Sequence, residues 1–180
     1  MPLLIETERL ILREWRDEDL VPLHAMNNDP IVCEFFPDFK DMQQARAFIH
    51  HSRDRDRRHG YSFQPVIEKA TGAFVGDIGL AKVEFDAPFT GQTEIGWMMQ
   101  RAFWGKGYAT EMAAALLNHA FTALKLQEVL AFTVPANLRS RRVMDRLGMR
   151  HDEAGRFDHP SLLEGHPLRS HVLYRKQAPS

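Results

Sequence analysis

The sequence predicts one α/β domain, a mixed sheet with helices on both faces. Three observations lead there. The 180 residues are 44% apolar and 26% charged, enough to bury the core of one domain and hardly enough for two. Short apolar stretches bounded by glycine, proline and asparagine alternate with segments of helical period, the order that flanks strands with helices. Ala109, Met112, Ala113, Leu116, Leu117, Ala120 and Leu124 also repeat at helical spacing over good helix formers, which gives one strong central helix. Residues 1–180 read as a single domain without repeats, low-complexity segments or a linker.

Taken in order, residues 7–13 alternate loosely and read as a strand. Asp17-Glu18-Asp19 supplies a cap and first-turn acids for a helix through Leu20, Leu23 and Met26, stopped by Asn27-Asn28-Asp29-Pro30. A second helix spans 42–58 and turns Ala45, Phe48 and Ile49 inward. Its end, Arg53 to Arg58, reads as a solvated run of mixed charge. Gly60 breaks it, and strands follow over 61–68, 73–85 and 93–99, the first two joined by Lys69-Ala70-Thr71-Gly72. The strong helix covers 107–124. A strand over 128–134 and a helix over 137–147, closed by Gly148, come next. The remainder reads as a short strand near Met149, a long loop over 155–167 and a last strand over 168–175.

Composition excludes several function classes. Twenty-three Lys and Arg against 24 Asp and Glu leave a net charge of −1, without the basic excess of a generic nucleic-acid binder. One cysteine, Cys33, permits no intrachain disulfide and no Cys-rich zinc site, and His50, His51 and His59 lack ligand spacing, so no metal is expected. The opening Met1-Pro2-Leu3-Leu4-Ile5-Glu6 meets an acid too early for a secretory core, and no apolar run approaches the roughly 18 residues of a membrane span. A cytoplasmic protein with no membrane partner is the expectation.

Trp104-Gly105-Lys106-Gly107-Tyr108-Ala109-Thr110-Glu111 carries the most chemistry. It lies between a strand and a helix and places glycine where a backbone must approach something closely. First-turn amides of the helix lack intrahelical partners and sit at the positive end of its dipole, so a phosphate suits them. A tight turn that only caps its own helix is the competing reading. Neither glycine has the spacing of a P-loop or dinucleotide motif. A second cluster runs from Asn137 to Met149, with Asn137 as a helix cap and four arginines that face water or an anion. A third, Thr93-Glu94-Ile95-Gly96-Trp97-Met98-Met99, has an acid near its start and a glycine inside, the mark of a bulge or a close approach.

In this order, and with Glu6 to Arg13 as an opening strand, these segments resemble the GCN5-related N-acetyltransferases, abbreviated GNAT. The nearest branch by resemblance is the ribosomal-protein N-terminal acetyltransferases of the RimJ/RimL type. The resemblance implies the GNAT acyl-CoA N-acyltransferase fold, its mixed central sheet splayed at the cofactor site. It implies acetyl-CoA as co-substrate. The pyrophosphate would lie on amides of Gly105, Lys106, Gly107, Tyr108, Ala109 and Thr110, and the pantetheine arm along the backbone of Trp97, Met98 and Met99. Asn137 would bond the arm near its reacting end. Glu94 would be the base that frees the attacking amine, and amides near Met98 and Met99 would hold the oxyanion. Many members carry a general-acid tyrosine where this chain has Met144, and Ser140 is the substitute suggested by the Rim-like branch. The other partner is an acceptor amine, of a protein N-terminus or a small molecule, and a homodimer is compatible with the family. With the tyrosine missing, a catalytically silent acyl-CoA-binding module stays open as the alternative. The acceptor is expected between residues 19–36 and the loop 155–167, where Asp158 and Glu164 would attract a cation and Phe157, Leu162 and Leu163 would pack its apolar part.

Overall fold

The computed structural model describes residues 3–36 and 41–179; Met1 and Pro2 of the opening segment lie outside them. The strands are β1 (Ile5–Glu6), β2 (Leu10–Leu12), β3 (Phe63–Glu68), β4 (Phe74–Lys82), β5 (Thr93–Met99), β6 (Glu128–Thr133), β7 (Arg150–Asp158) and β8 (Ser170–Gln177). The helices are α1 (Leu20–Met26), α2 (Met42–His59), α3 (Tyr108–Thr122) and α4 (Leu138–Arg146), with single 3-10 turns at Asp17–Asp19 and Arg101–Phe103. All eight strands join one sheet in the order β1-β2-β3-β4-β5-β6-β8-β7. Every neighbouring pair is antiparallel except β5 and β6, which run parallel.

Alternation of side chains decides which helix covers which face. Ile95 and Met99 of β5, Val129 and Ala131 of β6, and Val172 and Tyr174 of β8 share a core with Met112, Ala113, Leu116 and Ala120 of α3 and Met144 of α4. The opposite face divides in two. Leu23 and Met26 of α1 and Ala45 and Ile49 of α2 pack with Trp15 and Phe74 over one half. Val83 and Phe89, from the connection after β4, cover Leu130 and Leu173 on the other. The expected helices on both faces are present, and β5 lies where the halves meet.

Three expectations need correction. Residues 7–13 are not one strand: residues 5–12 form a hairpin, with Ile5 paired to Leu12 and Glu6 to Ile11, and 7–9 are its turn. The Glu111 carboxylate draws the turn together, since it accepts from Thr7 Oγ1 at 2.6 Å, the Arg9 amide at 3.0 Å and Arg9 Nε at 2.7 Å. The loop expected from 155 instead begins after Asp158, because β7 and β8 pair again beyond an irregularity, Phe157 with His171 and Asp158 with Ser170. The charged end of α2 is also more than a solvated run. Arg53 Nη2 donates to the Trp15 carbonyl at 2.8 Å, and Arg55 meets Glu84 at 2.5 Å.

Candidate active site

Between β5 and β6 the sheet is barely joined. Their one paired position is Glu94 with Leu130, whereas β4 and β5 pair without a break from Gly76–Met99 to Lys82–Thr93. The bulge expected in β5 is therefore absent against β4, and Gly96 has another cause: an added Cβ would lie 2.9 Å from the Phe63 ring. The Val83 amide donates to the Gln92 carbonyl at 2.9 Å and the Gln100 amide to the Val75 carbonyl at 2.8 Å. Antiparallel alternation from these two ends commits the main chains of Glu94, Gly96 and Met98 to β4. Ile95, Trp97 and Met99 turn theirs toward β6, which has left by then. Trp97 and Met99 thus offer main-chain groups to the gap, and Met98 does not, contrary to the sequence expectation. The Met99 carbonyl is already engaged, since Trp104 Nε1 donates to it at 2.9 Å.

The glycine loop sits at the wide end of this gap. Gly105 and Gly107 have φ of 78° and 79°, a conformation that side chains disfavour. Gly107 is the N-cap of α3, and no side chain caps the helix, so its first amides remain available. The loop is fastened from beneath. Tyr108 is buried, its hydroxyl donates to Glu68 Oε1 at 2.5 Å, and the Arg9 guanidinium lies 4.5 Å above its ring. The hydrogen bond to Glu68 raises the Tyr108 pKa above its ordinary value. Tyr108 therefore contributes an amide and an anchor, while its ring stays in the core. Gly105, Gly107, Tyr108, Ala109 and Thr110 all border the groove. Lys106 is exposed, its ammonium rests 4.9 Å from the Phe103 ring centre, and it is not among the lining residues.

Helix α4 forms the opposite bank. Asn137 Oδ1 accepts from the Ser140 amide at 3.1 Å, and its Nδ2 donates to Thr133 Oγ1 at 3.1 Å. Asn137 thus caps the helix and ties it to the end of β6. The Ser140 hydroxyl borders the groove and makes no hydrogen bond to another described residue, so it is not spent on a carbonyl of its own helix. Met144 is 2% exposed and apolar, with no proton to give. Arg139, Arg142 and Arg146 border the groove, while Arg141 turns back to the Tyr174 hydroxyl and the Pro135 carbonyl. Arg139 also bridges the mouth: it lies 4.5 Å from the Trp104 ring centre and pairs with Glu34 at 2.9 Å.

The groove between these banks encloses about 600 Å³. Glu94 stands where the strands part, on the same sheet face as Leu130 and Phe132. It is half-buried, and no described residue gives its carboxylate a hydrogen bond. Burial pushes its pKa up to about 7, opposed only in part by Arg55, which already holds Glu84. Val32, Phe35 and Phe36, from the segment 19–36, border the groove. The far loop behaves differently. Leu162 reaches the groove, but Leu163 is 84% exposed, Glu164 is exposed and Asp158 pairs with Arg169 at 3.4 Å. Phe157 packs against Phe89 and Phe132 in an aromatic cluster. In place of the two acids, His159 and His171 line the groove. Sequence reasoning missed both, because no motif links them and only the β7–β8 pairing brings them together.

Among the described residues, no group of three or more His, Cys, Asp or Glu is placed to hold a metal ion. No described helix is long and apolar enough to cross a membrane. Comparison with known proteins gives a consistent result. Residues 9–150 match the family model of the acetyltransferase (GNAT) domain. The chain is 32% identical over 150 residues to the uncharacterised protein YkkB of Bacillus subtilis, covering 82% of this chain and 85% of that one. Its structure is similar to a GNAT-family acetyltransferase of Bacillus anthracis, with a TM-score of 0.80, 27% identity and coverage of 98% and 99%. It also shares its fold with the ribosomal-protein acetyltransferase RimL, solved in complex with coenzyme A, at TM-score 0.78, 16% identity and coverage of 97% and 98%. The family match runs from the hairpin that secures the glycine loop to the end of α4, and the chain belongs to the GNAT family of acetyltransferases.

Proposed function

We propose that the chain transfers an acetyl group from acetyl-CoA to a primary amine by direct attack. One observation carries the reading: the sheet opens beside the uncapped start of α3, and a carboxylate poised near neutrality stands at the point of opening. Acetyl-CoA supplies the activated acyl group. Amides of Gly105, Gly107, Tyr108, Ala109 and Thr110 suit its pyrophosphate, and main-chain groups of Trp97 and Met99 suit an arm that lies along β5 as an added strand. Asn137 keeps α4 in place beside that arm.

An amine with a pKa of roughly 8 to 10 is mostly protonated at pH 7 and must lose a proton before it attacks. Glu94 takes that proton. The C–N bond forms to give a tetrahedral oxyanion, which the Met99 amide facing the gap stabilises; its collapse breaks the C–S bond, and Ser140 or water protonates the thiolate. A thiol pKa of about 8.5 means this last step needs little help. The acceptor is the amine of a protein N-terminus or of a small molecule. RimL, which shares the fold, acts on a ribosomal protein, and this supports the RimJ/RimL-like branch. The poised Glu94 and the uncommitted Ser140 hydroxyl favour an active enzyme over a silent acyl-CoA-binding module.

A mass-shift assay with acetyl-CoA and a panel of amines and peptides tests the proposal, with an acceptor gaining one acetyl group as the expected result. No transfer to any acceptor, with acetyl-CoA binding intact, would leave the silent module. Ser140→Ala should lower kcat less than about tenfold and leave KM for acetyl-CoA within about twofold. A loss of kcat beyond about a hundredfold would make Ser140 the required acid.

A further inference from the structure

The two groove histidines are held in complementary tautomers. His159 Nδ1 lies 2.8 Å from Ser161 Oγ and 3.3 Å from the Ser161 amide nitrogen; a backbone amide only donates, so Nδ1 accepts and the ring proton is assigned to Nε2. His171 Nδ1 lies 3.0 Å from the Arg169 carbonyl oxygen. A carbonyl only accepts, so His171 carries its proton on Nδ1 and keeps a lone pair on Nε2. The rings lie 5.3 Å apart and both pack on Phe132 and Phe157. Neither Nε2 atom has a hydrogen-bond partner among the described residues. One donor and one acceptor thus stand side by side on an aromatic wall of the groove that Glu94 also lines.

We propose that His159 and His171 form an acceptor-side subsite that reads a neutral carboxamide carried by the amine. The carboxamide oxygen accepts a hydrogen bond from His159 Nε2–H, and the carboxamide N–H donates one to His171 Nε2. Burial lowers the pKa of both rings, opposed at His171 by the hydrogen bond to the Arg169 carbonyl and by Asp158, a direction that favours the neutral imidazoles the hydrogen bonds assign. A carboxylate would set a second acceptor against the His171 lone pair. A bare alkyl group would leave both ring nitrogens covered and unpaired. The proposal rests on the acetyl-transfer reading only for placing the amine at Glu94.

Phenylalanine amide, phenethylamine and phenylalanine share a ring and an amine and differ in the group to be read. Binding of each is followed by ¹⁵N signals of the imidazoles, without acetyl-CoA, in the parent protein and in His159→Phe and His171→Phe, which keep the aromatic packing. Phenylalanine amide should bind the parent at least tenfold more tightly than either other probe, and both histidines should respond. Each variant, folded by circular dichroism, should reduce the preference for the amide over phenethylamine to less than twofold. A preference below twofold in the parent, or one unchanged in both variants, overturns the subsite. A Phe-Gly-Gly peptide tells the bearer of the group: binding as tight as the amide points to a chain terminus, and weaker binding to a small molecule. Because no acyl donor is present, a loss of acetyl transfer strikes the proposed function, and a loss of selectivity strikes this subsite.

Discussion

Gly107→Asp is expected to weaken acetyl-CoA binding at least about a hundredfold, some 2.7 kcal/mol, with little change in the fold. A Cβ at position 107 meets only the end of the Arg9 side chain, at 3.7 Å. Aspartate tolerates positive φ better than most residues. Placed at the N-cap, its carboxylate can occupy the first amides of α3, and the resulting cap offsets the backbone cost. The melting temperature should therefore stay within about 4 °C of the parent. The phosphates, in contrast, meet a fixed negative charge where they need donors. Gly107→Ala carries the same backbone strain without charge and should lose much less affinity. Calorimetric titration of both variants decides the matter, and unchanged binding in Gly107→Asp would move the pyrophosphate elsewhere.

Glu94→Gln should lower kcat by about 10² to 10⁴, the range of a lost general base, with KM for acetyl-CoA within about threefold. The parent rate should climb through pH 7, where Glu94 loses its proton, and the variant should keep only the rise at higher pH, where the amine deprotonates unaided. Identical profiles would leave Glu94 with a structural role alone. Stability should move in the opposite direction. The folded state holds the Glu94 proton up to about pH 7 and the unfolded chain only to the usual carboxylate range. Below that range the two states are equally protonated. As pH rises from there to 7 the parent loses stability, by about 1–2 kcal/mol at a half-buried, partly screened site. Glutamine carries no such penalty. The variant should therefore melt above the parent at pH 8 and level with it at pH 4.

Much of the site's framework was legible because its signals are local. Strand β5 spans 93–99 as expected, Gly107 stands at the start of α3, and Asn137 and Gly148 bound α4 as their cap chemistry predicts. The opening hairpin was not legible: residues 7–13 carry a strand pattern, and the Glu111 carboxylate that folds them lies a hundred residues away. Strand β7 was legible only as a short strand near Met149, and its full length was hidden for a different reason. Arg150–Asp158 lies at the sheet edge and is mostly exposed and charged, so no apolar period announces it. His159 and His171 were lost with it. The backbone phase that separates Trp97 and Met99 from Met98 depends on hydrogen bonds at both ends of the β4–β5 ladder, which no single residue encodes.

The lone β5–β6 pairing has a consequence for the protein's lifetime. On the proposed reading, an arm lodged between these strands would serve as a missing strand and link the fold thermodynamically to its donor. At a donor concentration a hundred times Kd, that linkage adds about 2.7 kcal/mol against unfolding. Amide hydrogens at Trp97 and Met99 should exchange slowly when donor is plentiful and quickly when it is scarce. Proteolysis of transiently opened molecules follows the same equilibrium. On that reading, the parted sheet would make the steady-state amount of the protein a function of the concentration of the donor it binds.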